Sequence, residues 1–280
     1  MIPSRFCHSE RSEESVPSLP PAGGVIAGGN DRRTGPSTTL RSAQDDNHGN
    51  CSHPDSALHV LYCDNAILVC EKPAGVLSEP GQGKNLPDMA AQWLRERGEQ
   101  DAVRTVHRLD KAVGGLTVLA RTQKAAASLI DQIAARRAEK EYLAVLRGVP
   151  AQEEATLEDL LFHDSRTNKT FVVTRPRKGV RDAKLSYRVL GRAETEAGPL
   201  SLVRVKLHTG RTHQIRAQFS HRGLPLLGDI RYGSKAQHGP ALFSCLLAFD
   251  HPETGERMQF ELLPTGEPWA LFAEPQRHTP

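Results

Sequence analysis

Apolar and polar residues follow strand and helix periods only from Leu58 onward. The runs LHVLYC at 58–63 and AILVCEKPAG at 66–75 predict two short strands, the second ended by a turn at Lys72-Pro73-Ala74-Gly75. Two helices are predicted next. In the first, Asn85 caps, Pro87 sits in the opening turn, and Leu86, Ala90, Trp93, Leu94 and Arg97 fall on related turns. In the second, Thr122 caps, and Ala126, Leu129, Ile130, Ile133 and Ala134 recur with helical spacing as one apolar stripe facing a sheet.

Strands return at 141–148, 169–174 and 183–190. In 203–208, Val203, Val205 and Leu207 alternate with Arg204, Lys206 and His208, which predicts one buried face and one basic, solvated face. A helix over 211–222 and strands near 242–249 and 257–263 complete the pattern. Many strands joined by short turns, with few helices between them, predict an α+β fold with a mixed, mainly antiparallel central sheet flanked by helices and loops.

Residues 1–57 have neither period and are dominated by Ser, Gly, Pro, Arg and acidic residues, a composition that cannot offset the entropy of ordering. They are expected to form a disordered extension. The strings HSERSEES and LRSAQDD within them have the texture of translated upstream repeat DNA, which puts the expected native start near Leu58 and the folded domain at 58–280. The extension holds five arginines, no lysine and seven acidic residues, so the remainder carries 31 basic against 26 acidic residues, an excess of +5 that the extension reduces to the chain's +3. A modestly basic domain suits a polyanion, although many housekeeping enzymes share that balance.

The five cysteines, Cys7, Cys51, Cys63, Cys70 and Cys245, form no C-x-x-C pair, which argues against a zinc finger or a disulfide framework. Cys63, Cys70 and Cys245 stand among apolar residues and are expected to be reduced and buried. No apolar run is long enough to span a membrane and no secretory pattern opens the chain, so the expected compartment is the cytoplasm.

Three stretches gather polar residues where a strand gives way to a turn. In His107-Arg108-Leu109-Asp110-Lys111-Ala112-Val113-Gly114-Gly115, the aspartate is either a turn residue capping local amides or a reactive carboxylate. In Thr209-Gly210-Arg211-Thr212-His213-Gln214-Ile215-Arg216, a strand end meets a helix start, giving either a capped, solvated terminus or a polar site at a helix mouth. In Lys140-Glu141-Tyr142, a tyrosine opens a strand, where half-buried packing is the plainer role.

Taken together, in kind and order, these stretches resemble the RluA branch of the RNA pseudouridine synthases. The H-R-L-D element stands at 107–110, K-x-Y at 140–142 and T-G-R-T-H-Q-I-R at 209–216, with the K-P-x-G turn at 72–75 before them and Gly228-Asp229 and Tyr232-Gly233 after them. The resemblance spans about 58–265. Two departures stand out: Val113-Gly114-Gly115 replaces the usual threonine-serine-glycine, and residues 1–57 lack the composition of the S4-like RNA-binding module that many relatives carry.

The resemblance implies an isomerase that converts uridines of structured RNA, ribosomal or transfer, to pseudouridine without metal or other cofactor. It implies Asp110 as the catalytic carboxylate, Arg211 as the guanidinium pairing with it, and Tyr142 as the ring lying against the base. Because the reacting atoms lie inside a stacked RNA, the nucleotide has to flip out, and Arg108 is placed to fill the space. His107, His213 and Gln214 are expected to touch RNA, and Ile215 and Leu116 to line the pocket. The basic stretch with Arg175, Arg177, Lys178 and Arg181 is expected to contact phosphates. A monomer is expected. Two other readings use the same residues: a non-catalytic RNA-binding protein on this scaffold, and a hydrolase with Asp110 as nucleophile and His107 or His213 as base.

Overall fold

The computed structural model describes residues 58–234 and 239–272, so the expectations for 1–57 lie outside the described residues. In chain order the elements are β1 (Val60–Cys63), β2 (Ile67–Lys72), α1 (Leu86–Arg95), β3 (Arg104–Thr105), β4 (Gly114–Ala120), α2 (Gln123–Ala134) and β5 (Glu139–Arg147). Then follow β6 (Glu154–Asp164), β7 (Lys169–Val173), β8 (Val180–Thr195), β9 (Gly198–Leu207), α3 (Gln214–His221), β10 (Leu242–Asp250) and β11 (Arg257–Glu261). The strands join one sheet in the order β1-β2-β4-β10-β5-β9-β8-β6-β7, with β3 beside β4 and β11 beside β10. Every pairing is antiparallel except β4 with β10, where Gly114 faces Phe243 and Gly115 faces Ser244. The α+β fold with a mixed, mainly antiparallel sheet is therefore what the chain adopts.

Strands β2 and β4 are buried on both faces, which is why they read as unbroken apolar runs. On one face Leu68, Cys70 and Leu119 pack with Leu86, Ala90 and Leu94 of α1. On the other, Ile67, Val69, Leu116 and Val118 pack with Ala125, Ala126 and Leu129 of α2. Leu116 thus belongs to the α2 core and not to a pocket wall, because alternate residues of a strand face opposite ways. Cys70 and Cys245 are buried, and Cys63 is half-buried.

Both helix caps form as expected: Asn85 accepts from the amide of Asp88 and Thr122 from that of Ala125. The stripe on α2 is rotated from its expected position. Ile130 is 48% exposed, while Gln132 is buried and closes both ends of its carboxamide on the Asp250 backbone at 2.8 Å. That polar anchor, invisible to an apolar pattern, sets which side of the helix faces in. The expected basic face of β9 is corrected too: Arg204 pairs with Glu141 and Glu261, and Lys206 with Glu139, so the face is half-buried and charge-balanced.

Gly115 is held at φ +113°, and a Cβ there would meet the Ser244 backbone, its nitrogen 2.6 Å away. The β4–β10 approach therefore needs glycine at this position. Gly115→Ala is expected to lower stability by more than about 2 kcal/mol, because neither the backbone angle nor the opposing strand can give. An unchanged urea midpoint would show that the two strands can separate without cost.

Candidate active site

Asp110 lies within the loop that runs from β3 into β4, and the loop is fixed from behind. Ser78 Oγ accepts from the amide of Leu109 and donates to its carbonyl, and Gly75 N–H donates to Lys111 O at 2.7 Å. Lys72, fully buried, donates through Nζ to the carbonyls of Pro73, Val76 and Lys111. Burial lowers its ammonium to about 8, against an opposing pull from Asp110. The lysine of the K-P-x-G turn is a clasp holding the Asp110 turn, a role sequence alone did not assign.

The guanidinium on Asp110 belongs to Arg216, not to Arg211. Arg216 Nη1 donates to Asp110 Oδ2 at 2.8 Å, while Nε and Nη2 hold Asp229 in a two-pronged grip at 2.7 and 2.9 Å. Arg211 is exposed and donates instead to the carbonyl of Asp182. The difference follows from where the helix begins. Residues 211–213 are not helical; α3 starts at Gln214 after a left-handed His213, which turns Arg216 inward on its first turn. Asp229 is 1% exposed, so Arg216 is clamped, and burial notwithstanding, the two carboxylates hold its guanidinium charged.

His213 sits beside this pair. Tyr232 Oη accepts from the Thr170 amide at 2.7 Å and shares a hydrogen bond with His213 Nδ1 at 3.0 Å. The other ring nitrogen, His213 Nε2, lies 3.6 Å from Asp110 Oδ2. Burial lowers His213 to about 4, against an opposing pull from Asp110, so the ring is neutral at pH 7. His107, expected to touch RNA, lines the cleft over Asp110 and is half-buried; its Nε2 accepts from the Val118 amide and pairs with the Thr117 hydroxyl, and burial lowers it to about 3. Both rings charge in the unfolded chain near the ordinary value of about 6.5. The unfolded state then binds more protons, so stability is complete above that pH and is lost as pH falls toward 4. Urea midpoints measured from pH 7 to 4 should decline, and the decline should be shallower in His107→Gln; an equal slope would show that His107 is not buried neutral.

A cleft of about 940 Å³ opens over Asp110, with Tyr142, Ile215 and Arg216 at its floor and Lys140, His208 and Arg211 on its walls. A second, of about 870 Å³, meets it across Asp110, Arg108 and His213 and continues past Lys111 and Arg231. Tyr142 is buried and shares a hydrogen bond with Ser244; burial, then the charge of Asp110, push its phenol above the usual range, so it stays neutral. Arg108 is exposed at the junction of the two clefts, 3.5 Å from Glu79. Gln214 is not free for a ligand. Its Oε1 accepts from Thr209 Oγ1 and Arg211 N, and its Nε2 donates to Lys184 O. Arg175, Arg177, Lys178 and Arg181 are exposed and lie outside both clefts, with Arg177 resting on the Phe162 ring. Among the described residues no cluster of three metal-ligating side chains occurs, and no helix is long and apolar enough to cross a membrane.

The comparisons agree with this geometry. A family model described as RNA pseudouridylate synthase matches residues 66–221. An uncharacterised RNA pseudouridine synthase, YlyB, of Bacillus subtilis (strain 168) is 33% identical over 213 residues, 73% of this chain and 68% of that protein. The ribosomal large subunit pseudouridine synthase D of Pseudomonas aeruginosa is 33% identical over 249 residues, 82% of this chain and 75% of that protein. The solved structure of human RNA pseudouridylate synthase domain containing 1 superposes with a TM-score of 0.62 at 26% identity, covering 76% of this chain and 86% of that one. With motif order, fold and cleft in agreement over most of its described length, the chain belongs to the RluA-type RNA pseudouridine synthases, isomerases that act on RNA.

Proposed function

We propose that this enzyme isomerises specific uridines of structured ribosomal or transfer RNA, with Asp110 as the carboxylate that acts on the flipped nucleotide. The observation that carries this is the carboxylate itself, held by Arg216 at the floor of a cleft whose adjoining wall is the Tyr142 ring. The reaction breaks the bond from ribose C1′ to uracil N1, forms one from C1′ to C5, and moves the C5 proton away as N1 takes one up. It is balanced without oxidant or metal. Arg216 orients the carboxylate and stabilises its charge. Tyr142, held as a neutral phenol, serves as the surface on which uracil stacks while it turns over.

Arg108, on the rim where the clefts meet, fills the gap that the flipped nucleotide leaves, offsetting part of an unstacking cost of a few kcal/mol. Arg175, Arg177, Lys178 and Arg181 make outer phosphate contacts at a distance from the target. The name of the Pseudomonas relative favours ribosomal RNA of the large subunit among possible substrates. The test is tritium release from total cellular RNA labelled at uracil C5, taken from cells lacking this gene. Release above background is expected with the purified enzyme, and its absence alongside retained RNA binding would leave a binding protein on a synthase scaffold.

A further inference from the structure

Lys140 is a cation that faces no anion among the described residues. It opens β5 on the wall of the first cleft, half-buried, with Nζ 3.7 Å from where a side chain on Gly210 would start. Among the described residues it has no carboxylate partner. Burial lowers its ammonium, and no carboxylate pulls the other way, in contrast to Lys72, which feels Asp110. A partly desolvated ammonium with nothing opposite it is unfavourable on its own and calls for an outside anion.

Two further cations share that wall. Among the described residues the Arg211 side chain has only the Asp182 carbonyl as hydrogen-bond partner. Arg136 ends α2 in a Schellman turn, its own amide donating to Ile133 O and that of Arg137 to Gln132 O. It does so at φ +60°, a position where glycine is usual and an arginine is strained. Among the described residues neither has a carboxylate partner. His208 lies on the same wall, where, beyond burial, Lys184, Lys206 and Arg136 oppose its protonation and Glu158 favours it. Lys184 and Lys206 are already matched by Glu158 and Glu139, so the surplus charge is that of Lys140, Arg136 and Arg211.

We propose that Lys140, Arg136 and Arg211 form an oxyanion subsite in the cleft that takes a phosphodiester of the RNA strand beside the target uridine. The proposal rests on the RNA-modifying function and adds where the strand is gripped. The grip lies inside the cleft, next to the chemistry, apart from the exposed 175–181 stretch. The three cations would then fix how deep the flipped nucleotide enters, so their loss acts on substrate capture and leaves the chemical step in place.

The test uses the full chain as wild type, Lys140→Gln, Lys140→Arg, Arg211→Gln and, as a control on the far end of α2, Lys124→Gln. Affinity for a fluorescein-labelled 12-nucleotide oligouridylate is measured from 50 to 500 mM KCl, and tritium release from C5-labelled total RNA is followed in parallel. Lys140→Gln and Arg211→Gln should each flatten the slope of log Kd against log salt by about 0.7, the share of one phosphate contact on a single strand. Each should raise KM about tenfold with kcat within about twofold, Lys140→Arg should restore the slope, and Lys124→Gln should match wild type. Arg211 is exposed, so its variant carries the test even if Lys140→Gln misfolds. An unchanged slope, or a loss confined to kcat, overturns the subsite. Flattened slopes in a wild-type background that releases no tritium would keep the subsite and overturn the synthase activity instead.

Discussion

Asp110→Asn is expected to bring tritium release down by at least about 10³-fold, the scale on which removing a nucleophile or general base acts, with folding and RNA affinity unchanged. The substitution is nearly isosteric and leaves an oxygen for Arg216 Nη1, while the guanidinium keeps its two-pronged contact with buried Asp229. Removing the charge without emptying the space therefore separates chemistry from architecture. Single-turnover release, thermal melting and oligouridylate binding should be compared in the same preparation. A rate within tenfold of wild type would remove Asp110 from the chemistry and direct attention to Glu79, the other carboxylate reaching both clefts.

Arg216→Met should be the most damaging change to stability. It leaves Asp229, 1% exposed, as an uncompensated buried charge, and breaking a buried pair in this way costs roughly 3–5 kcal/mol, or about 10 °C of melting temperature in a domain of this size. Adding Asp229→Leu should recover much of that loss, since an apolar pair replaces the orphaned charge. Activity should not return, because Asp110 still lacks its donor. Arg211→Met, exposed and bonded only to a backbone carbonyl, should melt close to wild type. Equal melting of the Arg211 and Arg216 variants would mean that the buried pair contributes nothing.

The contrast between those two arginines marks where sequence stopped being informative. The motif at 209–216 was legible, as were both helix caps, the alternation in β9 and the turn at Asp110, because each depends on neighbours along the chain. Choosing between Arg211 and Arg216 depends on a single left-handed residue, His213, that delays the helix by three positions. No local rule requires a histidine to adopt that angle; it is held there by Tyr232 and by packing. Strand β6 escaped notice because its acidic and apolar residues do not alternate cleanly and it is buried only in places. The Asp250 partner of Gln132 and the Lys111 partner of Lys72 were hidden for a related reason: both are backbone groups far away in sequence. Gln214 looked like a ligand-binding residue because polar side chains near a motif resemble one another until their own hydrogen bonds are counted.

The parallel contact between β4 and β10 governs how the enzyme comes into being. Strands β4 and β5 flank β10 in the sheet, yet β10 is nearly the last strand in the chain. A polypeptide still emerging from the ribosome has the Asp110 turn on one half and Tyr142 on the other, with nothing between to set their spacing. Only when residues 242–250 slot into the gap do the two halves become one surface, a closure of long loops that ranks among the slow steps of folding. The two halves of the cleft are therefore expected to come together in a single late event, and a fragment ending before that strand is expected to be inert however well its hairpins form.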